Sequence, residues 1–227
     1  MGQTLIDENT RLLILSPHPD DEILGCGGLI AKVKRKRGIV DVVYFTYGDQ
    51  PEGEKIREEE TRMIQEFYEI DNMECLYSNV YHLKLDKLLK YDIIQQIEKV
   101  INQYGPNIIA IPFPSFNQDH AIVYETAISA LRSSGSQARH VPDITLVYEY
   151  PQAGWGGGQL VFQPNVYIDI SDEIAKKMDG FEIYKSQNKC AQYAISSEGV
   201  RCLAAFRGKE ITVDYAEAYM MKKGIYR

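Results

Sequence analysis

RLLILSPHPDDEILGCGG, residues 11–28, changes periodicity partway along its length. Arg11 to Ser16 is a short apolar run ending in a proline-rich turn, the pattern of a buried strand. From Leu24 to Arg37 the apolar residues Leu24, Leu29, Ile30 and Val33 recur at helical spacing. The helix is expected to end in the basic run KVKRKR before Gly38. Cations are favoured at a helix C-terminus and glycine stops it, so this run reads as a helix end rather than a nucleic-acid patch. Between strand and helix lies SPHPDDE, in which two prolines stiffen a turn rich in groups that bind metal or move protons.

Outward from this segment, strand and helix patterns alternate. Ile39 to Thr46 is β-branched and aromatic, and Ile108 to Phe113 is a second buried run after the Gly105-Pro106 stop. Leu146 to Tyr150 and Val166 to Ile170 are further expected strands. Expected helices are Glu54 to Ile70, Leu85 to Ile101, Ala121 to Arg132, Asp172 to Lys189 and Glu198 to Arg207. Such alternation argues for βαβ units around a mostly parallel sheet, an α/β fold with its ligand site at the C-terminal ends of the strands. No repeat or low-complexity linker divides the chain, so residues 1–227 are expected to form one domain. The loose stretch QAGWGGGQ, residues 152–159, reads as a loop within it.

Composition narrows the function classes. The 227 residues carry 32 acidic and 25 basic side chains, a net charge of −7, which argues against nucleic acid as a partner. No apolar run reaches the roughly 18 residues of a membrane span, and the N-terminus lacks signal-peptide order. The four cysteines form no CxxC pair, consistent with reduced thiols in a cytoplasmic protein.

His18 and Asp21 are three residues apart, so both can face one point beyond the first strand. A second strand-end loop, PSFNQDH, supplies His120. Two imidazoles and a carboxylate make a catalytic zinc site with one position left open for water. Asp20 is then placed to take a proton as general base. LGCGG fits neither GxGxxG nor the P-loop pattern, so Gly25, Gly27 and Gly28 are expected to let the helix approach the sheet closely.

With PHPDDE at Pro17–Glu22 and NQDH at Asn117–His120, the chain resembles the PIG-L/LmbE-like family of zinc-dependent N-deacetylases. The likeness extends to Arg57 and Glu60 of an R-x-x-E helix, and to FQPNVYIDIS, KSQ, AAFRG and YAEAY in the C-terminal half. The resemblance implies a Rossmann-like three-layer sandwich with one zinc per chain. It implies removal of the acetyl group from an N-acetylated amino sugar, such as N-acetylglucosamine, or from a sugar conjugate. It makes His18, Asp21 and His120 the ligands and Asp20 the base that activates the metal's water. Where many members carry a first His in HPDH, this chain has Asn117, whose amide can donate to an oxyanion but cannot carry a proton. Asp20 could make both proton transfers, or Tyr193 or His140, even from a neighbouring subunit, could supply the acid. A catalytically weakened or inactive metal-containing sugar-binding protein, and a hydrolase of another amide or a phosphoester using the same metal, are the competing functions. A homo-oligomer is left open.

Three side chains are substrate-binding candidates. Arg57 resembles the family arginine that meets polar substrate groups, against an exposed ion pair with Glu60. Glu149, at a strand end, is a candidate for sugar hydroxyls, against a plain surface charge. Trp155 among glycines is a candidate stacking platform for a sugar ring. His82 and His140 read as structural histidines.

Overall fold

The parallel strands β1 (Arg11–Ser16), β2 (Ile39–Tyr44), β3 (Asn72–Cys75), β4 (Ile108–Pro112) and β5 (Ile144–Tyr148) build most of one seven-stranded sheet. The remaining strands are β6 (Val166–Asp169) and β7 (Ala216–Gly224), and the order is β3-β2-β1-β4-β5-β7-β6. β7 runs antiparallel to both β5 and β6. The structure is a computed structural model and describes residues 5–48, 51–132, 139–152 and 161–225. Helices α1 (Asp21–Arg35), α2 (Pro51–Tyr68), α5 (Ile174–Ile183) and α6 (Ser197–Glu210) pack among themselves. α3 (Lys90–Tyr104) pairs with α4 (Gln118–Ala130), so helices cover both faces of the sheet. The mostly parallel α/β architecture expected from the periodicity is the one observed.

From β1 the chain crosses to β2 on one side, and β4 lies on the other. β1 and β4 therefore flank a topological switch point, where connections diverge and leave a crevice beyond the strand ends. The PHPDDE turn follows β1 and the NQDH turn follows β4.

β1, β2 and β4 are almost wholly buried, in keeping with a parallel sheet covered on both faces. The glycines of α1 permit close helix–sheet packing. A Cβ on Gly25 would lie 2.2 Å from Tyr148 Cδ2, and one on Gly28 2.5 Å from Ile170 Cγ2.

Several elements differ from the sequence expectation. α1 starts at Asp21 rather than Leu24, because the Asp20 carbonyl accepts from the Ile23 and Leu24 amides at 3.0 and 2.8 Å. The helix expected from Leu85 is a short 3-10 turn, Leu85–Lys87, followed by α3 from Lys90. Leu88 and Leu89 are extended between the two, and the Leu85 amide donates to Asp119. The helix expected through Lys189 ends at Ile183. β3 and β7 were not expected. β3 is four residues at a sheet edge, too short for a clear period. β7, AEAYMMKKG, is rich in good helix formers, and only pairing with β5 and β6 on either side makes it a strand.

Gly25→Ala should raise intrinsic helix propensity, yet it is expected to lower stability by about 1–3 kcal/mol through overpacking against Tyr148. Urea unfolding measures the sign, and an unchanged or raised midpoint would refute the close-approach reading.

Candidate metal centre and cleft

His18 leaves the sheet at the end of β1, and Asp21 opens α1 one turn later. His120 sits in the first turn of α4, one connection beyond β4. Asp21 Oδ2 accepts from the His18 backbone amide at 3.1 Å and lies 3.5 Å from His18 Nδ1 and 3.2 Å from His120 Nε2. All three residues are buried, and their ligand atoms lie within 4.8 Å of one another. One ring nitrogen of His120, Nδ1, is buried without a hydrogen-bond partner. This donor set, two imidazoles and one carboxylate facing a common point, fits a divalent cation such as zinc.

Asp119, which carried no role in the sequence reading, supports the set. Its Oδ2 accepts from His18 Nε2 at 3.0 Å and from the Leu83 amide at 2.8 Å, while Oδ1 accepts from the Leu85 amide at 3.1 Å. With Nε2 held by a carboxylate, His18 presents Nδ1 towards Asp21 and His120. The signal was present in the DH pair, but nothing in the sequence showed that Asp119 reaches back across the sheet to His18.

Asp20 stands between His18 and Asp21 at φ 110°, a region unfavourable for a residue with a side chain. Its amide donates to Glu22 Oε2 at 3.1 Å, and Glu22 Oε1 accepts from Tyr184 Oη at 2.5 Å. Tyr44 Oη lies 3.3 Å from Tyr184 Oη, and all three of these supporting side chains are fully buried.

The electrostatics follow from burial. Desolvation alone would lower the His18 pKa, but hydrogen bonds to Asp119 and Asp21 and their charges raise it to about 9. Desolvation would raise Asp21, yet the His120 and His18 contacts hold it well below the usual carboxylate range. Asp20 is pushed well up by desolvation and by the Asp21 charge, with Arg57 opposing. Desolvation raises Glu22 to about 7.

A cleft of about 190 Å³ opens over these groups and is lined by His18, Asp20, Asp21, Arg57, Asn117 and His120. Thus the structure brings together six of the eight site residues expected from the sequence. Asn117 caps α4, its Oδ1 accepting from the Asp119 amide at 2.9 Å, and its Nδ2 is the donor end of the side chain. Glu149 is placed elsewhere. It forms a two-point pair with Arg207 Nε and Nη2 at 2.5 and 2.8 Å and lines a different cavity, because the end of β5 turns its carboxylate towards α6. Trp155 lies outside the described residues. His140 contacts the Pro106 carbonyl at 2.6 Å, at the opposite end of β4 from the cleft, so it does not reach the cleft of its own chain. Tyr193 is 55% exposed and is absent from the cleft lining.

His82 is buried and hydrogen-bonded, as a structural histidine is, but it also reaches the cleft. Its ring centroid lies 4.7 Å edge-on from that of His18, with Nδ1 3.2 Å from Thr46 Oγ1. Leu83, Phe116, Tyr150, Gln152, Gln187 and Ile195 complete the lining. Phe116 lies in PSFNQDH, Gln187 in KSQ and Gln152 at the start of QAGWGGGQ, but none of the six was read as a site residue, and Leu83, Tyr150 and Ile195 lie in no such motif.

A buried His–Asp–His set beside a strained carboxylate, at the switch point of an α/β sheet, has the layout of a hydrolase active site. The chain belongs to the PIG-L family, described as GlcNAc-PI de-N-acetylase, whose profile matches residues 13–131. That span contains His18, Asp20, Asp21, Asn117, Asp119 and His120. The diacetylchitobiose deacetylase of Thermococcus kodakarensis is 24% identical over 231 residues, covering 95% of this chain and 84% of that protein. Among solved structures, the N,N'-diacetylchitobiose deacetylase of Pyrococcus horikoshii shares the fold at TM-score 0.72 and 21% identity, covering 94% of this chain and 84% of that one. The 4-carboxy-2-hydroxymuconate hydratase of Pseudomonas putida does so at TM-score 0.76 and 16% identity, covering 96% and 98%. No helix among the described residues is long and apolar enough to cross a membrane.

Asp119→Asn is expected to weaken zinc binding roughly 10- to 100-fold, because His18 loses the anion that orients it. Chelator competition measures this. A second expectation follows from the raised His18 pKa. A ligand imidazole must be neutral, so zinc affinity should climb with pH up to about 9, with a proton released on binding at pH 8. Calorimetry in buffers of different ionisation enthalpy counts that proton, and zero release would contradict the protonated state.

Proposed function

We propose that the protein is a zinc-dependent N-deacetylase acting on an N-acetylated amino sugar or sugar conjugate, in the cytoplasm, as one domain spanning residues 1–227. The observation that carries the reading is the convergence of His18, Asp21 and His120 on one point beside Asp20, at the floor of an open cleft. Family membership and the diacetylchitobiose deacetylase relative support the acetamide substrate.

His18, Asp21 and His120 would hold the zinc. When bound, zinc supplies Lewis-acid polarisation of the acetyl carbonyl and lowers the pKa of water. Asp20 takes the proton of the attacking water on its carboxylate. Burial and the Asp21 charge make Asp20 a stronger base than an exposed aspartate, the direction general-base catalysis near neutral pH requires. The same carboxyl group is the one placed to return that proton to the leaving amine; in the same chain neither His140 nor Tyr193 lines the cleft, and His82, which does, is packed against His18. Asn117 cannot move a proton, but its Nδ2 can donate to the oxyanion as the carbonyl becomes tetrahedral. Arg57, on α2 at the cleft, meets polar groups of the sugar. The products are acetate and a free amine.

Zinc content near one per chain is expected, with acetate released from N-acetylglucosamine or its conjugates. Asp20→Asn should retain the zinc and abolish acetate release. Asn117→Ala should lower kcat about 10²- to 10³-fold with little change in KM, as removal of an oxyanion donor does elsewhere. A protein that binds sugar and zinc without releasing acetate would instead be a sugar-binding protein. Failure to retain zinc would overturn the ligand assignment.

A further inference from the structure

Leu83 has a positive φ of 55°, a conformation sterically unfavourable for a large side chain and readily adopted by glycine or asparagine. Hydrogen bonds enforce it. The Leu83 amide donates to Asp119 Oδ2 at 2.8 Å, the Leu85 amide to Asp119 Oδ1 at 3.1 Å, and Gln118 Nε2 donates to the Leu83 carbonyl at 2.7 Å. The side chain held in this way is 41% exposed and faces the cleft. Two effects of folding therefore act against leucine here, since the backbone disfavours it and much of its apolar surface stays in water. Strain kept in this manner concentrates at ligand-binding positions. Leu83 is accompanied in the cleft by Phe116, 57% exposed, and by Ile195, whereas Arg57, Gln152 and Gln187 give the same cleft a polar portion.

We propose that Leu83, with Phe116, is a specificity-determining wall that takes an apolar substituent carried beside the acetamide, an aryl or alkyl aglycone rather than a further polar sugar. The proposal rests on the deacetylase reading and names its substrate class more closely. Asp119 links the two functions, because one carboxylate both orients His18 and pins the Leu83 amide. The apolar wall is thereby held in register with the metal ligands. The aglycone would cover Leu83 and gain the burial that folding leaves unused.

The test uses zinc-loaded wild type, Leu83→Asn and Leu83→Met. Asparagine tolerates the left-handed backbone but is polar, and methionine keeps an apolar side chain. Binding is read by calorimetry with two deacetylated ligands that cannot turn over, 4-nitrophenyl β-D-glucosaminide and glucosamine. Wild type is expected to bind the aryl glycoside roughly 5- to 10-fold more tightly than glucosamine, the gain expected from burying part of a leucine side chain. Leu83→Asn should erase that preference while leaving glucosamine affinity unchanged and the melting temperature equal or higher, since asparagine relieves the backbone strain, and Leu83→Met should keep the preference. The proposal is overturned by a wild type without the preference, or by Leu83→Asn weakening both ligands equally. It is also overturned if Leu83→Asn alters the oligomeric state in size-exclusion chromatography with the preference intact, which would make Leu83 a contact between copies. Acetate release from the N-acetyl forms is measured in parallel. The preference without acetate release would remove the deacetylase reading and leave the wall, and acetate release without the preference would do the reverse.

Discussion

The Asp119 carboxylate is the point at which three distant parts of the chain are joined. It receives the ring of His18 from the β1 end and two backbone amides, those of Leu83 and Leu85, from the turn before α3. It is itself placed by α4, whose first turn is capped by Asn117. Each partner shares one fully buried anion, so moving any one of them leaves a charge without compensation. The orientation of His18, the backbone of Leu83 and the mouth of the cleft are therefore set together. With the proton-bearing imidazole beside it, Asp119 stays below its usual pKa despite a burial penalty that acts in the opposite direction.

A second constraint surrounds Asp20. Its backbone is unfavourable, at a cost on the order of 1–3 kcal/mol, and persists because Glu22 and Tyr184 hold it from below. The acids of PHPDDE thus divide their labour by environment. Asp21 is stabilised as an anion by two imidazoles, Glu22 is a buried hydrogen-bond acceptor shifted to about 7, and Asp20 is left facing the cleft with its carboxyl raised. Adjacent residues of like type acquire different chemistry because the turn aims them at different surroundings.

The fold does not choose the reaction. A hydratase and a deacetylase both share it at TM-scores above 0.7, so the sheet and its switch point supply only the crevice. Chemistry is decided by the side chains that crevice receives. In this chain an amide stands at residue 117 and His82 packs against His18, and both line the cleft.

The strand–turn–helix at residues 11–35, the alternation of strands and helices, and the convergence of His18, Asp21 and His120 were legible because each depends on local periodicity or on a short, dense motif. The glycines of α1 were legible too, since LGCGG fits no phosphate loop and close packing is what remained. β7 was not, because AEAYMMKKG favours a helix locally and becomes a strand only through hydrogen bonds to β5 and β6. Glu149 misled for a related reason. A carboxylate at a strand end can face a cleft or a neighbouring helix, and only the position of Arg207 on α6 decides which. His82, Leu83 and Asp119 acquire their roles through contacts across 34 to 101 residues of chain, as in the bonds from Asp119 to Leu85 and to His18. The sequence by itself determined which groups could bind a metal and move a proton, since that follows from residue type and short spacing. Tertiary structure alone decided which groups orient them and what else faces the substrate, since those contacts exist only once separate strands are brought side by side.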